Sequence, residues 1–262
     1  MTFGVQTFTV RKAQKKDIEK AYLPLIQMGI TSFEVARIDF TPNNASILKD
    51  MIAKYGIAVS AIQVKPKYVF GAFEEVVRFC RETNCKNVVI SMLPFRCILG
   101  KEQAFYSFVE ELDGWFERYA KEGITLAYHH HNWEYIQLSN GKRRMEELLK
   151  RTHKIQFVHD TYWTAKSGIS PTAQIEAFGG RLLGIHLRDL QLKKKNGIGV
   201  MSVDGAIGDG LIDFAAVLKA AESVGCSYYV IEQNTKNPYK DIEKSFTLLQ
   251  SIKTQLREGQ AV

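Results

Sequence analysis

Four side chains that could bind a metal stand at the ends of four apolar runs in this 262-residue sequence. They are His129 after ITLAY, Asp160 after KIQFVH, His186 within RLLGIHLRD and Glu232 after SYYVI. Imidazole nitrogens and carboxylate oxygens are common ligands of Mn²⁺, Co²⁺, Zn²⁺, Fe²⁺ and, for oxygen, Mg²⁺. If the four runs are parallel strands, their carboxyl ends meet at one edge of the fold, and the sequence predicts a divalent-metal site there.

The first of these runs ends in three consecutive histidines. Because side chains alternate along a strand, Ala127, His129 and His131 should share one face, with Tyr128 and His130 on the other. If the first face looks into a barrel, two imidazoles meet at its mouth. A shift of strand register would make His131 the ligand instead of His129, and both options stay open at this point.

Such a site could catalyse enolisation. A divalent ion that bridges adjacent carbonyl and hydroxyl oxygens acidifies the C–H bond between them and stabilises the resulting enediolate. A carboxylate or a neutral imidazole can remove that proton, and a second group can return one. Isomerisation, epimerisation and elimination of water share this first step.

Strand-type and helix-type patterns alternate along the whole chain. The predicted strands cover residues 3–8, 31–38, 57–65, 86–94, 124–131, 154–160, 181–189 and 227–233, and helical segments follow them. We therefore expect a single (β/α)₈ barrel domain over residues 1–262. A doubly wound open sheet is the alternative, but no GxGxxG follows the first strand. Residues 190–213 are expected to form a long irregular loop.

Composition and charge indicate an ordinary globular protein with a basic surface. The formal net charge is +7, and the one dense basic run, Lys193 to Lys195, is interpreted as a solvated loop. Single basic side chains near the site could still hold a phosphate or a carboxylate. The four cysteines lack CxxC spacing, and no apolar run reaches about 18 residues, so we expect free thiols, no signal peptide, no membrane span and a cytoplasmic location.

The motifs GVQTFTVR, GITLAYHHHNWEY, VHDTYW, GIHLRD, GAIGDGLIDF and YYVIEQN resemble the sugar phosphate isomerase/epimerase family of xylose isomerase-like barrels. The resemblance covers nearly the whole chain. It implies a (β/α)₈ fold and one divalent metal ion, often Mn²⁺, bound by His129, Asp160, His186 and Glu232. It also implies that Glu232 acts as a catalytic acid/base.

The sequence departs from the 3-epimerases of this family at two positions. Those enzymes have a glutamate where this chain has His129, and a histidine where it has Trp163. His131 then becomes the candidate for the second catalytic acid/base. The departure, and the YHHH run, favour the inosose dehydratase branch, where elimination needs one base and one acid rather than a symmetric pair.

Four further residues are candidates for substrate binding. Trp163 and Trp133 could stack on a sugar ring, or could pack in the rim. Arg188 could bind substrate hydroxyls, or could pair with the adjacent Asp189. Glu134 is assigned to the same region and could orient one of the histidines from behind.

Three smaller motifs are given other interpretations. His153 and His159 lie outside the matching pattern and are interpreted as structural. The glycines of GAIGDG are interpreted as a turn beneath the site rather than as a phosphate loop.

The sequence as a whole predicts a metal-dependent isomerase, epimerase or lyase that acts on a keto-sugar, an inosose or a related polyol. No nucleic acid or membrane partner is expected, and a homo-oligomer stays open. A non-catalytic sugar-binding barrel is the alternative. An endonuclease IV-like phosphodiesterase is less favoured, because the first four strands offer only Glu34 as an obvious additional ligand.

Overall fold

Eight parallel strands close into a barrel in the computed structural model, which describes residues 1–99, 101–195 and 199–259. The strands in chain order are β1 (Phe3–Gln6), β2 (Ser32–Ala36), β3 (Ala58–Val64), β4 (Asn87–Ile90), β5 (Thr125–His129), β6 (Gln156–Asp160), β7 (Leu182–Leu187), β8 (Asp189–Lys195), β9 (Gly199–Gly205) and β10 (Tyr228–Ile231). Strands β1 to β7 and β10 form the barrel, in which β10 lies between β7 and β1. The predicted (β/α)₈ fold is confirmed, and the open sheet is excluded.

Helices surround this barrel and connect its strands. They are α1 (Arg11–Gln14), α2 (Ile18–Gln27), α3 (Pro42–Tyr55), α4 (Pro66–Gly71), α5 (Phe73–Glu82), α6 (Phe95–Leu99), α7 (Glu102–Ala120), α8 (Arg144–Arg151), α9 (Thr161–Lys166), α10 (Pro171–Phe178), α11 (Phe214–Ser223) and α12 (Pro238–Arg257). Short 3₁₀ turns cover Thr7–Val10, Asn132–Tyr135 and Gly179–Arg181. None of the helices in the described ranges is both long and apolar enough to cross a membrane.

Helix α3 shows how local sequence sets the ends of these elements. The hydroxyl of Thr41 accepts the amide hydrogen of Asn44 and caps the first turn. Gly56 ends the helix in the left-handed conformation, with φ of 65°, which a glycine adopts without a steric penalty. The chain can therefore turn directly into β3.

The barrel interior is a small apolar layer beneath the mouth. Its buried residues are Ala61, Val89, Ala127, Val158, Leu183, Tyr228 and Val230. Tyr228 is the largest of them, and a β-carbon on Gly184 of the neighbouring strand would overlap its ring. Ala127 lies in this inner layer while Tyr128 packs in the outer core, which confirms the alternation predicted for β5.

The stretch predicted as an irregular loop is mostly a β-hairpin. Strands β8 and β9 pair antiparallel, from Asp189 opposite Gly205 to Lys195 opposite Gly199, and residues 196–198 lie outside the described part. The sequence predicts a loop because the segment contains the dense basic run Lys193 to Lys195 and several glycines. Among the described side chains of the hairpin, only residues 192–194 and 199–201, toward its tip, are exposed, and the residues nearer its base are partly or fully buried. The hairpin rises from the end of β7, beside the mouth of the barrel.

Candidate metal centre and active site

Four strand ends bring the predicted metal ligands together. His129 and Asp160 are the last residues of β5 and β6, His186 lies one residue before the end of β7, and Glu232 directly follows β10. One donor atom from each side chain lies within 4.8 Å of the others. All four residues are buried, with Glu232 the most exposed at 6%. His131 is not a member of this group.

Hydrogen bonds fix the orientation of both imidazoles in the group. Nδ1 of His129 lies 3.2 Å from the carbonyl oxygen of Ser91, and since a carbonyl only accepts, Nδ1 carries the proton. Nε2 of His129 then presents a lone pair, 3.5 Å from Oδ2 of Asp160. The ring is therefore set as a ligand before any metal binds.

A carboxylate that the sequence analysis did not assign to this site orients the second imidazole. Oε1 of Glu34, on β2, lies 2.8 Å from Nε2 of His186, and Oε2 of Glu34 accepts the hydroxyl of Tyr228 at 2.7 Å. Nδ1 of His186 faces Oε2 of Glu232, 2.8 Å away, so the ring lies between two carboxylates. A metal ion bound by Nδ1 would take the place of the proton that this nitrogen otherwise carries. The available signal for Glu34 was an acidic residue between the apolar residues Phe33 and Val35 of a predicted strand.

The donor atoms at the centre fit a divalent cation. Nε2 of His129, Nδ1 of His186 and Oε2 of Glu232 have no hydrogen-bond partner among the described residues, although all three are buried. Burial lowers the pKa of His186, but the carboxylates of Glu34 and Glu232 raise it more, to about 10. The centre therefore attracts positive charge, and two nitrogen and two oxygen donors could hold Zn²⁺, Mn²⁺, Co²⁺ or Fe²⁺.

Arg188 lies beside this centre and pairs with several carboxylates. Its Nη1 is 3.0 Å from Oδ2 of Asp160 and 3.3 Å from Oε1 of Glu232. On its other side, Nη2 and Nε are 2.5 Å and 3.2 Å from Oδ2 of Asp204, a residue of β9 that the sequence analysis missed. Asp204 also accepts the amide hydrogen of Asn234 at 2.9 Å, so the hairpin is joined to the segment after Glu232.

Asp189 does not pair with Arg188, which corrects one of the two alternatives given above. Its carboxylate accepts the amide hydrogens of Gly208 at 2.9 Å and Gly210 at 2.8 Å. The same carboxylate accepts the amide hydrogens of Leu190 and Ile212. The amides of GAIGDG are thus used within the protein, in agreement with a turn rather than a phosphate loop.

A cavity of about 420 Å³ opens above the centre at the barrel mouth. His129, His131, Trp163, Arg188 and Glu232 all line it. The other residues that line it are Phe8, Arg37, Ile38, Asp39, Phe40, Gln63, Lys65, Tyr68, Ser91, Met92 and Asn234. The volume suits a small organic molecule.

Two predicted substrate-binding residues do not line the cavity. The 3₁₀ turn Asn132–Tyr135 directs Trp133 against the outer core and buries Glu134 completely. The carboxylate of Glu134 accepts the hydroxyl of Tyr128 and, at 2.8 Å, the backbone amide hydrogen of His131. It therefore orients the histidine segment from behind and does not face a substrate.

His130 and His159 form a buried pair outside the barrel wall. Nε2 of His130 lies 3.1 Å from Nδ1 of His159 and accepts the amide hydrogen of Asp160 at 3.1 Å. Burial lowers the pKa of His159 to about 3. Both imidazoles pack near Phe178, which agrees with a structural role for His159.

Of the two residues predicted to transfer protons, His131 is a neutral imidazole and Glu232 is a carboxylate near neutral pH. Burial lowers the pKa of His131 to about 3. Burial raises the pKa of Glu232, but Arg188 and His186 lower it more, to about 2. The rings of His131 and Trp163 are 5.3 Å apart, so the histidine forms part of the same wall as the tryptophan.

Comparison with known proteins finds similar sequences and similar barrel folds. The inosose dehydratase of Geobacillus thermodenitrificans is 22% identical over 231 residues, which are 75% of this chain and 76% of the relative. A sugar phosphate isomerase/epimerase from Parabacteroides distasonis has a TM-score of 0.76 and 19% identity, over 95% of this chain and 93% of that chain. The IOLI protein with a bound zinc atom has a TM-score of 0.72 and 16% identity, over 96% of this chain and 98% of that chain.

These structural likenesses show the shared fold. The sequence pattern described as xylose isomerase-like TIM barrel matches residues 25–252. The chain therefore belongs to the xylose isomerase-like TIM barrel family.

Proposed function

We propose that the protein is a metal-dependent enzyme that isomerises, epimerises or dehydrates a keto-sugar, an inosose or a related polyol through an enediolate. The observation that carries this proposal is the group of four buried donor side chains, two of which, His129 and Glu232, line a substrate-sized cavity. The named functions of the inosose dehydratase relative and of the sugar phosphate isomerase/epimerase neighbour support it.

His129, Asp160, His186 and Glu232 are the proposed metal ligands. A divalent ion bound there would polarise a substrate carbonyl and its neighbouring hydroxyl and so acidify the C–H bond between them. We favour Mn²⁺, while the zinc atom in the IOLI structure supports Zn²⁺ as an alternative.

Glu232 and His131 are the proposed proton-transfer groups. Glu232 lines the cavity and has two carboxylate oxygens, so while Oε2 faces the metal centre, Oε1, 3.3 Å from Nη1 of Arg188, can accept a proton from the substrate carbon. His131 lines the same cavity, and its Nδ1 has no hydrogen-bond partner among the described residues. The imidazole could then donate a proton to a leaving hydroxyl, which departs as water, or to the substrate carbon from its opposite face.

Arg188 and Trp163 are the proposed substrate-positioning groups. The guanidinium is held by Asp160, Glu232 and Asp204, which leaves one N–H of Nη2 in a fixed position for a substrate oxygen. Its carbon Cζ lies 5.4 Å from the centroid of the Trp163 ring, and both side chains line the cavity. The indole can cover one face of a sugar ring while Arg188 fixes its edge.

Within this reaction class we favour elimination of water. His129 stands where the 3-epimerases have a glutamate, and one carboxylate base, Glu232, remains at the centre. The inosose dehydratase relative supports the same choice. A phosphodiesterase is not favoured, because Glu34 is the only buried carboxylate among the described residues of β1 to β4, and it is bonded to His186.

The test follows solvent deuterium incorporation and product formation by NMR over a panel of keto-sugars and inososes, with Mn²⁺ restored. We expect exchange at a carbon next to the carbonyl, abolished in Glu232→Gln and kept in Glu222→Gln, which changes an exposed glutamate on α11. The product separates dehydration from epimerisation. A non-catalytic binding barrel would instead be supported by two results together. No substrate would show exchange, and ligand affinity would be the same with and without metal and in Glu232→Gln.

A further inference from the structure

The side of the cavity opposite the metal centre carries basic residues. Arg37 follows β2 and Lys65 follows β3, and both line the cavity with exposed side chains. Asp39 lines it too, yet no nitrogen of Arg37 or Lys65 lies within 4.0 Å of a carboxylate among the described residues. These two cations therefore face the cavity without a protein counter-charge in direct contact.

The backbone at Arg37 is held in an uncommon conformation. Its φ is 58°, in the left-handed region that residues other than glycine seldom adopt. The buried amide of Gln14 donates to the carbonyls of Ala36 at 2.8 Å and Arg37 at 3.2 Å. The buried hydroxyl of Thr7 accepts the amide hydrogen of Ala36 at 2.9 Å. Because buried polar groups secure this turn, the position from which Arg37 extends is fixed.

A third cation stands close to the first. Cζ of Arg11 lies 3.8 Å and Cζ of Arg37 lies 5.3 Å from the centroid of the Phe8 ring, which lines the cavity. Within the described part of the chain, Arg11 donates only to neutral acceptors, the carbonyl of Phe8 and the side chain of Asn234, each at 2.8 Å. Burial, followed by the charge of Arg37, lowers the pKa of Arg11. The two guanidinium groups thus repel each other, and an anion between them and Lys65 would relieve that repulsion.

We propose that Arg37 and Lys65, supported by Arg11, bind an anionic group of the substrate, either a carboxylate or a phosphate. Guanidinium and ammonium groups pair strongly with both kinds of oxyanion. The inference rests on the proposed function, because it places the reacting carbons of the same molecule over the metal centre. It narrows the substrate class from neutral polyols to anionic ones, and anchoring one end would hold the reacting carbon near Glu232.

The test titrates inorganic phosphate and acetate into the protein and measures heat by calorimetry. It uses wild type, the double variant Arg37→Gln/Lys65→Gln, and the control Lys193→Gln, which removes one exposed charge from the hairpin. Each is measured after EDTA treatment and again after loading with Zn²⁺. We expect wild type and the control to bind at least one anion in both metal states, and the double variant to bind it at least tenfold more weakly.

The outcomes separate the anion sources and the two proposals. Binding of phosphate alone indicates a phosphorylated substrate, and binding of acetate alone indicates a carboxylated one. No binding by wild type, binding only after Zn²⁺ loading, or equal affinity in the double variant would overturn the inference. Anion binding without metal-dependent deuterium exchange would contradict the proposed function alone, while exchange on neutral ketoses without anion binding would contradict the inference alone.

Discussion

The two halves of the barrel mouth carry different chemistry. Strands β5, β6, β7 and β10 end in the two imidazoles and two carboxylates of the candidate metal centre. Strands β1 to β4 contribute Gln63, Ser91 and the cations Arg37 and Lys65 to the same cavity. One half is thus built to attract a cation, and the other to attract an anion.

The halves also differ in how their side chains are held. In the first half, each ligand is buried and tied to a partner, as His129 is to Ser91 and His186 to Glu34. In the second half the side chains of Arg37 and Lys65 are exposed, and buried hydrogen bonds hold the backbone at Arg37 rather than its guanidinium. A metal centre needs fixed donor geometry, whereas a screened ion pair at a rim tolerates motion.

Glu34 lies on β2 and bonds to His186 on β7, so it connects the two halves. Its removal should have the largest effect on metal affinity. Glu34→Gln keeps the size of the side chain but removes the charge that holds the proton on Nε2 of His186. Removing such an outer partner typically weakens metal binding by about 10–100-fold, and we expect a loss in that range here. Competition with a chromogenic chelator measures the affinity.

The control for that change is Glu147→Gln, on α8, where the carboxylate pairs with Arg151 at 2.7 Å outside the barrel. Its metal affinity should match wild type. Equal affinity in Glu34→Gln and Glu147→Gln would show that the link between β2 and the metal centre has no function.

Substitution of Asp204 should have a smaller effect, which should appear in the turnover of substrate and not in metal affinity. Asp204 holds Arg188 from the hairpin but contacts none of the proposed metal ligands through a hydrogen bond. We expect Asp204→Asn to lower kcat/KM about tenfold, which corresponds to about 1.4 kcal/mol, with metal affinity unchanged. Steady-state kinetics on the substrate found by NMR, with chelator competition, give both quantities.

Asp209→Asn is the matched change for Asp204→Asn, because Asp209 pairs with Lys244 on the surface. It should leave both quantities as in wild type. If Asp204→Asn weakened metal binding as strongly as Glu34→Gln, the hairpin would belong to the metal centre and not to the substrate side.

Glu134 should have the smallest effect on metal binding, and instead should change how stability depends on pH. Burial raises its pKa to about 7, although Tyr128 and the amide of His131 oppose this. Because the folded pKa exceeds the unfolded value, this contribution to stability is fully present below about pH 4.5 and is lost as pH rises to about 7. The slope is at most about 1.4 kcal/mol per pH unit.

The difference in unfolding free energy between wild type and Glu134→Gln isolates this contribution, because the buried His130 and His159 are common to both. Urea unfolding at several pH values between 4.5 and 8 measures it. We expect wild type to lose stability relative to Glu134→Gln as pH rises. A difference that stays constant over this range would mean that Glu134 ionises normally.

Much of the metal-binding half could be predicted from the sequence. The proposed ligands Asp160, His186 and Glu232 stand at the ends of apolar strands and could be recognised there without any contact information. Alternation left both His129 and His131 open, and the family resemblance selected His129. The convergence of the four ligands required only that the strands be parallel and adjacent, as the barrel makes them.

The remaining features depend on contacts that local pattern does not record. Glu34 and His186 are 152 residues apart, and no local sequence pattern around either residue predicts that they form a hydrogen bond. Trp133 and Glu134 were assigned to the substrate because they follow the histidines, but a 3₁₀ turn directs them away from the cavity. Asp204 lies in the partly buried half of β9, within a segment whose basic run and glycines are typical of a loop.

The metal content of the purified protein tests the central claim most directly. Wild type and Asp160→Asn would be stripped with EDTA, reloaded with Mn²⁺ or Zn²⁺, freed of excess ion and analysed by mass spectrometry, with circular dichroism to verify folding. We predict about one ion per wild-type chain and almost none in folded Asp160→Asn. No stable binding by wild type, or equal binding by the two proteins, would contradict a metal centre at the ends of β5, β6, β7 and β10.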